Sequence, residues 1–148
     1  MEYAAPVPVF PEMATALPDF GTQSVNSLMV AGIANPDQFR NYLASVSNLK
    51  DELVFSDHHQ FSNGDFKKIE QLFESHQSAS TYVFTTEKDA TRLRANTALS
   101  DTLKAHLYYI PITIKFLDHE GKSFDKKIVG YVKDNRSNRQ LHQRTNKL

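Results

Sequence analysis

The chain has 148 residues, and its seventeen basic and seventeen acidic side chains cancel, so nothing in the overall charge indicates a nucleic-acid coat or a strongly anionic partner. A hydrophobic content of 40% is enough for one continuous core, and the absence of cysteine excludes disulfides and thiolate metal sites. No apolar run approaches the ~20 residues of a membrane span and no signal-peptide pattern opens the chain, so we expect it to be soluble.

The first segment, residues 1–26, is predicted to be an extended lead-in that packs on the rest of the chain. Prolines interrupt it repeatedly, and apolar side chains recur between them. Its opening, MEYAAPVPVF, predicts the continuation of a larger protein rather than a natural start. The prolines are Pro6, Pro8, Pro11 and Pro18, and the apolar residues include Tyr3, Val7, Val9, Phe10 and Leu17.

The first regular unit is a strand followed by a helix. The apolar run from Leu28 to Ile33 predicts a buried strand, after which Asn35 can cap a helix that has Pro36 at its first position. This helix would present one apolar face at helical spacing, made of Phe39, Tyr42, Leu43 and Val46.

A second strand and helix follow. A short strand is predicted over 53–55, and the loop that leaves it carries Asp57, His58 and His59. Ser62 and Asp65 have the spacing of a capping box, and an apolar pattern of helical period predicts a helix over 64–76.

The third unit begins with TYVFTT, a predicted strand, after which Thr86 and Asp89 again have cap spacing ahead of a short helix, ATRLRA. The segments HLYYIPITIKF and KKIVGYVKD then flank a turn-forming LDHEGKSFD and predict an antiparallel β-hairpin. Five cations against one acid make the end of the chain a basic polar tail: Lys133, Arg136, Arg139, Arg144 and Lys147 against Asp134.

This alternation of strands and helices predicts an α/β fold: a small, mainly parallel sheet flanked by helices, with a C-terminal antiparallel hairpin. The predicted α/β domain spans residues 27–133, and the basic tail spans 134–148. Three polar loops, GIANP, SDHHQF and TTEKD, would leave the carboxyl ends of strands on one edge of the sheet, where open α/β sheets bind ligands.

The loop with Asp57, His58 and His59 allows three interpretations: a metal site, an acid–base pair, or residues that only hydrogen-bond the loop together. Adjacent imidazoles point in different directions on an extended loop, so at most one shares a site with Asp57. Asp-His-His is also one motif of a class of manganese-dependent phosphoesterases, but the Asp-x-Asp pattern expected beside it is absent from the sequence.

Several of these stretches together resemble the C-terminal part of the tetraacyldisaccharide 4'-kinases. They are VAGIANPDQF, FSDHHQFSNGDF, TTEKDATRL and YYIPITIKF, in this order, and the opening EYAAPVPVF is similar to the lead-in of that family. The resemblance covers the chain up to about Lys133. Members phosphorylate the 4'-hydroxyl of a lipid A disaccharide precursor, so the resemblance implies an ATP-dependent lipid kinase.

The resemblance also implies partners and a location. ATP and Mg²⁺ would be held mainly by an N-terminal P-loop domain, whose motif is not found in the sequence, so we expect the fragment alone to be inactive. The expected partners are the lipid precursor, that N-terminal domain and, peripherally, the membrane surface at the cytoplasmic face of the bacterial inner membrane. No nucleic-acid partner is expected.

For the site, the resemblance implies that His58 is the catalytic acid–base residue, that Asp57 orients it and that His59 is only a neighbour. Lys88, in the TEKD loop, would either contact phosphate or pair with Glu87 or Asp89. Asn35 and Lys88 are the candidates for contact with the nucleotide, and no metal ligand is assigned.

Two rival interpretations stay open at this point. The first is the manganese-dependent phosphoesterase, with its metal held by Asp57 and the imidazoles. The second is a non-catalytic α/β docking module that binds a partner domain or an anionic surface through the basic tail.

Overall fold

The computed structural model describes residues 2–22, 24–95 and 99–113. Tyr3–Ile112 form one compact unit. The strands of the described residues are β1 (Glu2–Tyr3), β2 (Val7–Pro8), β3 (Asn26–Ala31), β4 (Asn48–Val54), β5 (Thr81–Thr86), β6 (Leu107–Ile110) and β7 (Ile112–Thr113). The helices are α1 (Asp37–Val46), α2 (Asn63–Ser75), α3 (Glu87–Arg94) and α4 (Asp101–Ala105).

The main sheet has five strands in the order β2-β6-β5-β3-β4, while β1 and β7 form a separate two-stranded sheet. The pairs β3–β4, β3–β5 and β5–β6 are parallel, and only the edge strand β2 runs antiparallel. The chain leaves β3 towards β4 on one side and leaves β5 towards β6 on the other. The carboxyl ends of β3 and β5 therefore flank a topological switch point, where sheets of this kind bind ligands.

The two central strands are buried because both faces of the sheet are covered. Alternate residues of β3 face opposite sides: Leu28 packs with Ile69 of α2, whereas Met29 packs with Phe39 of α1. Full burial of a side chain of this size contributes about 1.5–3 kcal/mol, so these two apolar layers hold the strands in register.

The observed sheet confirms the predicted mainly parallel α/β class. The start of α1 and both ends of α2 lie within one residue of their predicted positions. The predicted second strand was wrong in length, because β4 runs over seven residues and ends at Val54. The first half of β4 is polar, with Lys50 and Asp51 exposed, as is typical of an edge strand. Because this half contains no apolar run, the sequence pattern does not indicate a strand there.

The lead-in packs on the sheet, as expected. Val9 is fully buried, its N–H donates to the carbonyl of Leu107, and its carbonyl accepts a 2.7 Å hydrogen bond from Nε of Arg94. The division of the chain at residues 26 and 133 stays a prediction.

The segment after α3 differs from expectation in two ways. The sequence pattern did not predict α4, which is capped by Ser100 and buries Leu103. Leu107–Ile110, predicted as part of a hairpin arm, is instead the fourth parallel strand, and Ile112–Thr113 pairs with β1. The predicted hairpin from residue 114 onward, like the basic tail, lies outside the described residues. Within residues 2–22, 24–95 and 99–113, no helix combines the length and apolarity needed to cross a membrane.

Candidate active site

The three polar loops meet at one edge of the sheet, as predicted. The backbone N–H of Gly32, after β3, donates a 2.8 Å hydrogen bond to Oδ2 of Asp89 in α3, 57 positions away. Nζ of Lys88 lies 2.6 Å from Oδ1 of Asp57, in the loop after β4. We call these loops the rim: residues 32–36, 55–62 and 86–92.

Asp89 anchors the rim from inside. Its side chain is fully buried, accepts a 2.8 Å hydrogen bond from the hydroxyl of Thr86, and lies 3.4 Å from the guanidinium of Arg92. The same guanidinium donates to the backbone carbonyl of His59 at 3.3 Å. A Cβ on Gly32 would lie 3.2 Å from Oδ1 of Asp89, a tight contact, so this close approach of two loops favours glycine. The sequence predicted the local Thr86–Asp89 cap but not these contacts with distant loops.

His58 is presented to solvent by an unusual backbone conformation. Its φ of 59° lies in the left-handed region, which few residues other than glycine, asparagine and aspartate adopt, and its side chain is 79% exposed. The backbone N–H of His58 donates to Oδ1 of Asp57 at 2.9 Å, and Nε2 of its ring lies 3.5 Å from Oδ2. The structure therefore brings together the two residues predicted to be catalytic.

Asp57 is held in its charged form. The hydrogen bond from Lys88 is the main reason that the pKa of the Asp57 carboxyl lies below its ordinary value of 3.8, with a smaller effect from the His58 backbone N–H. At neutral pH the carboxylate can therefore stabilise a positive charge on the adjacent imidazole.

His59 has the opposite environment. Its ring stacks on Phe55 with 4.7 Å between centroids and lies edge-on to Phe61, and its Nε2 donates a 2.9 Å hydrogen bond to Asp65. Asp65 closes the predicted capping box with Ser62. The pKa of Asp65 is lowered mainly by the hydroxyl of Ser62, then by its backbone N–H and by His59. His59 therefore belongs to the packing of the loop. Its predicted role as a mere neighbour of the acid–base pair stays a prediction.

The two nucleotide candidates lie at different places on the rim. Oδ1 of Asn35 accepts a 3.2 Å hydrogen bond from the N–H of Asp37 at the start of α1. Asn35 therefore has the predicted capping role, and its contact with a nucleotide stays a prediction. Pairing of Lys88 with Glu87 or Asp89 was one of the two predicted alternatives. In the structure Lys88 pairs with Asp57 instead. Asp89 is already engaged by Gly32 and Thr86, and successive residues on a helix do not face each other.

A cavity of about 130 Å³ lies beside the rim. Ile33, Phe39 and Ile110 form its apolar wall, and Thr86 and Lys88 also line it. It lies at the carboxyl ends of β3, β5 and β6 and can admit part of a small ligand. The sequence did not predict this cavity, because its wall combines residues from α1, β6 and the loop after β3.

The described residues do not fit a metal site. In the part of the chain that the structure describes, no three His, Asp or Glu side chains come together in a way that could hold an ion. His59 is directed at Asp65 while His58 is exposed, so the two imidazoles do not converge with Asp57. The geometry therefore gives no support to the manganese-dependent phosphoesterase.

Comparison with known proteins identifies the family. The family model described as tetraacyldisaccharide-1-P 4'-kinase matches residues 9–132. The chain belongs to this family.

Curated relatives carry the name tetraacyldisaccharide 4'-kinase. The chain is 35% identical to that of Bacteroides thetaiotaomicron in an alignment of 146 positions that covers 94% of this chain and 38% of the relative. It is 36% identical to that of Bacteroides fragilis over 140 residues, covering 92% and 37% of the two proteins, and 38% identical to that of Flavobacterium johnsoniae over 114 residues, covering 76% and 29%. The chain thus spans less than two fifths of these 4'-kinases, and no solved structure matches it.

Proposed function

We propose that this chain is the C-terminal part of an ATP-dependent tetraacyldisaccharide 4'-kinase, which phosphorylates the 4'-hydroxyl of a lipid A precursor. The family match over residues 9–132 supports this assignment, as do the names of the relatives. ATP and Mg²⁺ would be bound by an N-terminal P-loop domain, and no step is assigned to a metal on the described residues. The 148 residues by themselves would not transfer phosphate.

In this proposal His58 receives the proton of the attacking hydroxyl. As the sugar oxygen bonds to the γ-phosphorus of ATP, the bond from that phosphorus to the β,γ-bridging oxygen breaks and ADP leaves. The proton of the sugar hydroxyl also has to leave, and a neutral imidazole can accept it. With Nε2–H directed towards Asp57, Nδ1 accepts this proton, and the Asp57 carboxylate stabilises the imidazolium that forms. The single observation that carries this role is the exposure of the His58 ring next to a carboxylate held in its charged form.

The complete enzyme would work at the cytoplasmic face of the bacterial inner membrane. Its substrate is a lipid, so the rim has to approach the membrane surface while the N-terminal domain carries the nucleotide. The partners of this chain would then be the lipid A disaccharide precursor, that N-terminal domain and, peripherally, the membrane.

A chimeric kinase tests the proposal. This chain would replace the aligned region of the Bacteroides thetaiotaomicron relative, which is 38% of its length. Transfer of phosphate from ATP to tetraacyldisaccharide 1-phosphate would then be measured in detergent micelles. We expect an active chimera, and His58→Asn should lower kcat by about 10²–10⁴-fold, the usual contribution of general acid–base catalysis. Asparagine tolerates the left-handed backbone of residue 58, so this variant removes the imidazole without straining the loop.

His76→Asn is the matched control. His76 ends α2 at the opposite edge of the sheet, and asparagine suits the end of a helix, so kcat should stay within about twofold. Full turnover of His58→Asn would remove the catalytic role of this residue. A folded chimera that binds ATP but transfers no phosphate would contradict the kinase assignment itself.

A further inference from the structure

We propose that Lys88 is a positioning residue of this site, which acts on phosphate transfer through Asp57 and His58 rather than as a ligand of phosphate. The inference rests on the proposed function and assigns a role to the lysine of the TEKD loop.

The first observation is the choice of partner made by Lys88. Its ammonium lies 2.6 Å from Oδ1 of Asp57, 31 positions earlier in the chain, and both side chains are little more than a third exposed. A charge-assisted hydrogen bond to a carboxylate of another loop orients the ammonium of Lys88 and the carboxylate alike.

The second observation is that one carboxylate connects Lys88 to His58. Oδ1 of Asp57 accepts a hydrogen bond from the ammonium of Lys88 and another from the backbone N–H of His58. Oδ2 of the same carboxylate lies 3.5 Å from Nε2 of the His58 ring. A movement of Asp57 would therefore move the backbone and the ring of His58 together.

The third observation concerns what holds Lys88 itself. It lies in the first turn of α3, where Thr86 caps the helix and the buried carboxylate of Asp89 holds the N–H of Gly32. The base of Lys88 is thus fixed by a buried network, while the loop with Asp57 and His58 is exposed. Through its contact with Asp57, Lys88 therefore fixes the exposed Asp57–His58 pair to the buried start of α3.

The first test uses the 148-residue chain and needs no activity. Among the residues that the structure describes, the charged groups found next to Asp57 are Lys88 and the His58 imidazole, so the ¹³Cγ shift of Asp57 followed against pH reports the contact. We expect the wild-type midpoint below 3.8, a higher midpoint in Lys88→Met, and a midpoint that stays low in Lys88→Arg. An unchanged midpoint in Lys88→Met would overturn the inference.

The second test uses the active chimera. Lys88→Met should lower kcat about tenfold with little change in KM for ATP or lipid, since a displaced group loses rate rather than binding. Lys88→Arg should recover most of the rate. Because both residues act through one contact, the double variant Lys88→Met/Asp57→Asn should be no slower than the slower single variant.

Lys50→Met is the matched control, because it removes the same charge from the exposed surface of β4 and should leave kcat unchanged. A tenfold rise in KM for ATP or lipid, with additive effects of the two substitutions, would make Lys88 a phosphate ligand and overturn the inference. If His58→Asn is fully active, the proposed role of His58 fails, and the Asp57 titration still decides whether Lys88 holds the loop.

Discussion

The rim has an exposed part and a packed part that alternate along the chain. His58 and His59 are neighbours in sequence, yet the first side chain is 79% exposed and the second 26%. Asp57 likewise contacts a lysine at the surface, whereas Asp89 is fully buried. Residues of the same type therefore serve opposite purposes: the exposed ones are available for chemistry, and the packed ones hold the loops together.

The physical origin of the contrast is the backbone at residue 58. Its positive φ reverses the direction of the chain locally. The ring of His59 is therefore directed onto Phe55, whereas the ring of His58 points into solvent. If this division is correct, substitutions in the packed part should lower the free energy of unfolding by more than the equivalent substitutions in the exposed part.

The largest difference should separate the two aspartates. Asp89→Ala should lower the free energy of unfolding by about 2–3 kcal/mol, because it leaves the buried N–H of Gly32 without its acceptor. Asp57→Ala should cost no more than about 0.5–1 kcal/mol, the usual value of an exposed ion pair. Urea unfolding of both variants measures the difference, and equal losses would contradict the division.

The two histidines give a smaller difference with an identical substitution. His59→Asn should cost about 1–2 kcal/mol, since it removes the ring stacked on Phe55 and the hydrogen bond to Asp65. His58→Asn should change stability by less than about 0.5 kcal/mol, as expected for an exposed side chain. Thermal unfolding at neutral pH compares them, and a larger loss from His58→Asn would reverse the assignment.

The last prediction concerns the pH dependence of stability and belongs to Asp65. Its carboxyl has a lower pKa in the folded chain than its ordinary value of 3.8, so its contribution to stability is complete above that value and is lost as the pH falls below it. Asp65→Asn removes this group, and the stability gap between wild type and variant should narrow between about pH 5 and pH 2. Melting temperatures across this range test the sign, and a gap that widens towards acid would contradict it.

Much of the local structure could be predicted from the sequence. The capping box of Ser62 and Asp65, the cap of Thr86 on Asp89 and the buried strands all follow from patterns within a few residues. The convergence of three loops also followed, because parallel strands bring their carboxyl ends to one edge. The first half of β4 and all of α4 were missed, because polar edge strands and one-turn helices leave weak signals.

The sequence by itself determined the family, the alternation of strands and helices, and the residues from which a site can be built. Only the tertiary structure decided which partners those residues take. Lys88 binds Asp57 rather than its neighbour Asp89, and Asp89 binds Gly32, because each contact joins segments that are distant in sequence and adjacent across the sheet. A short-range pattern records the geometry of one turn, whereas these contacts depend on the order of the strands.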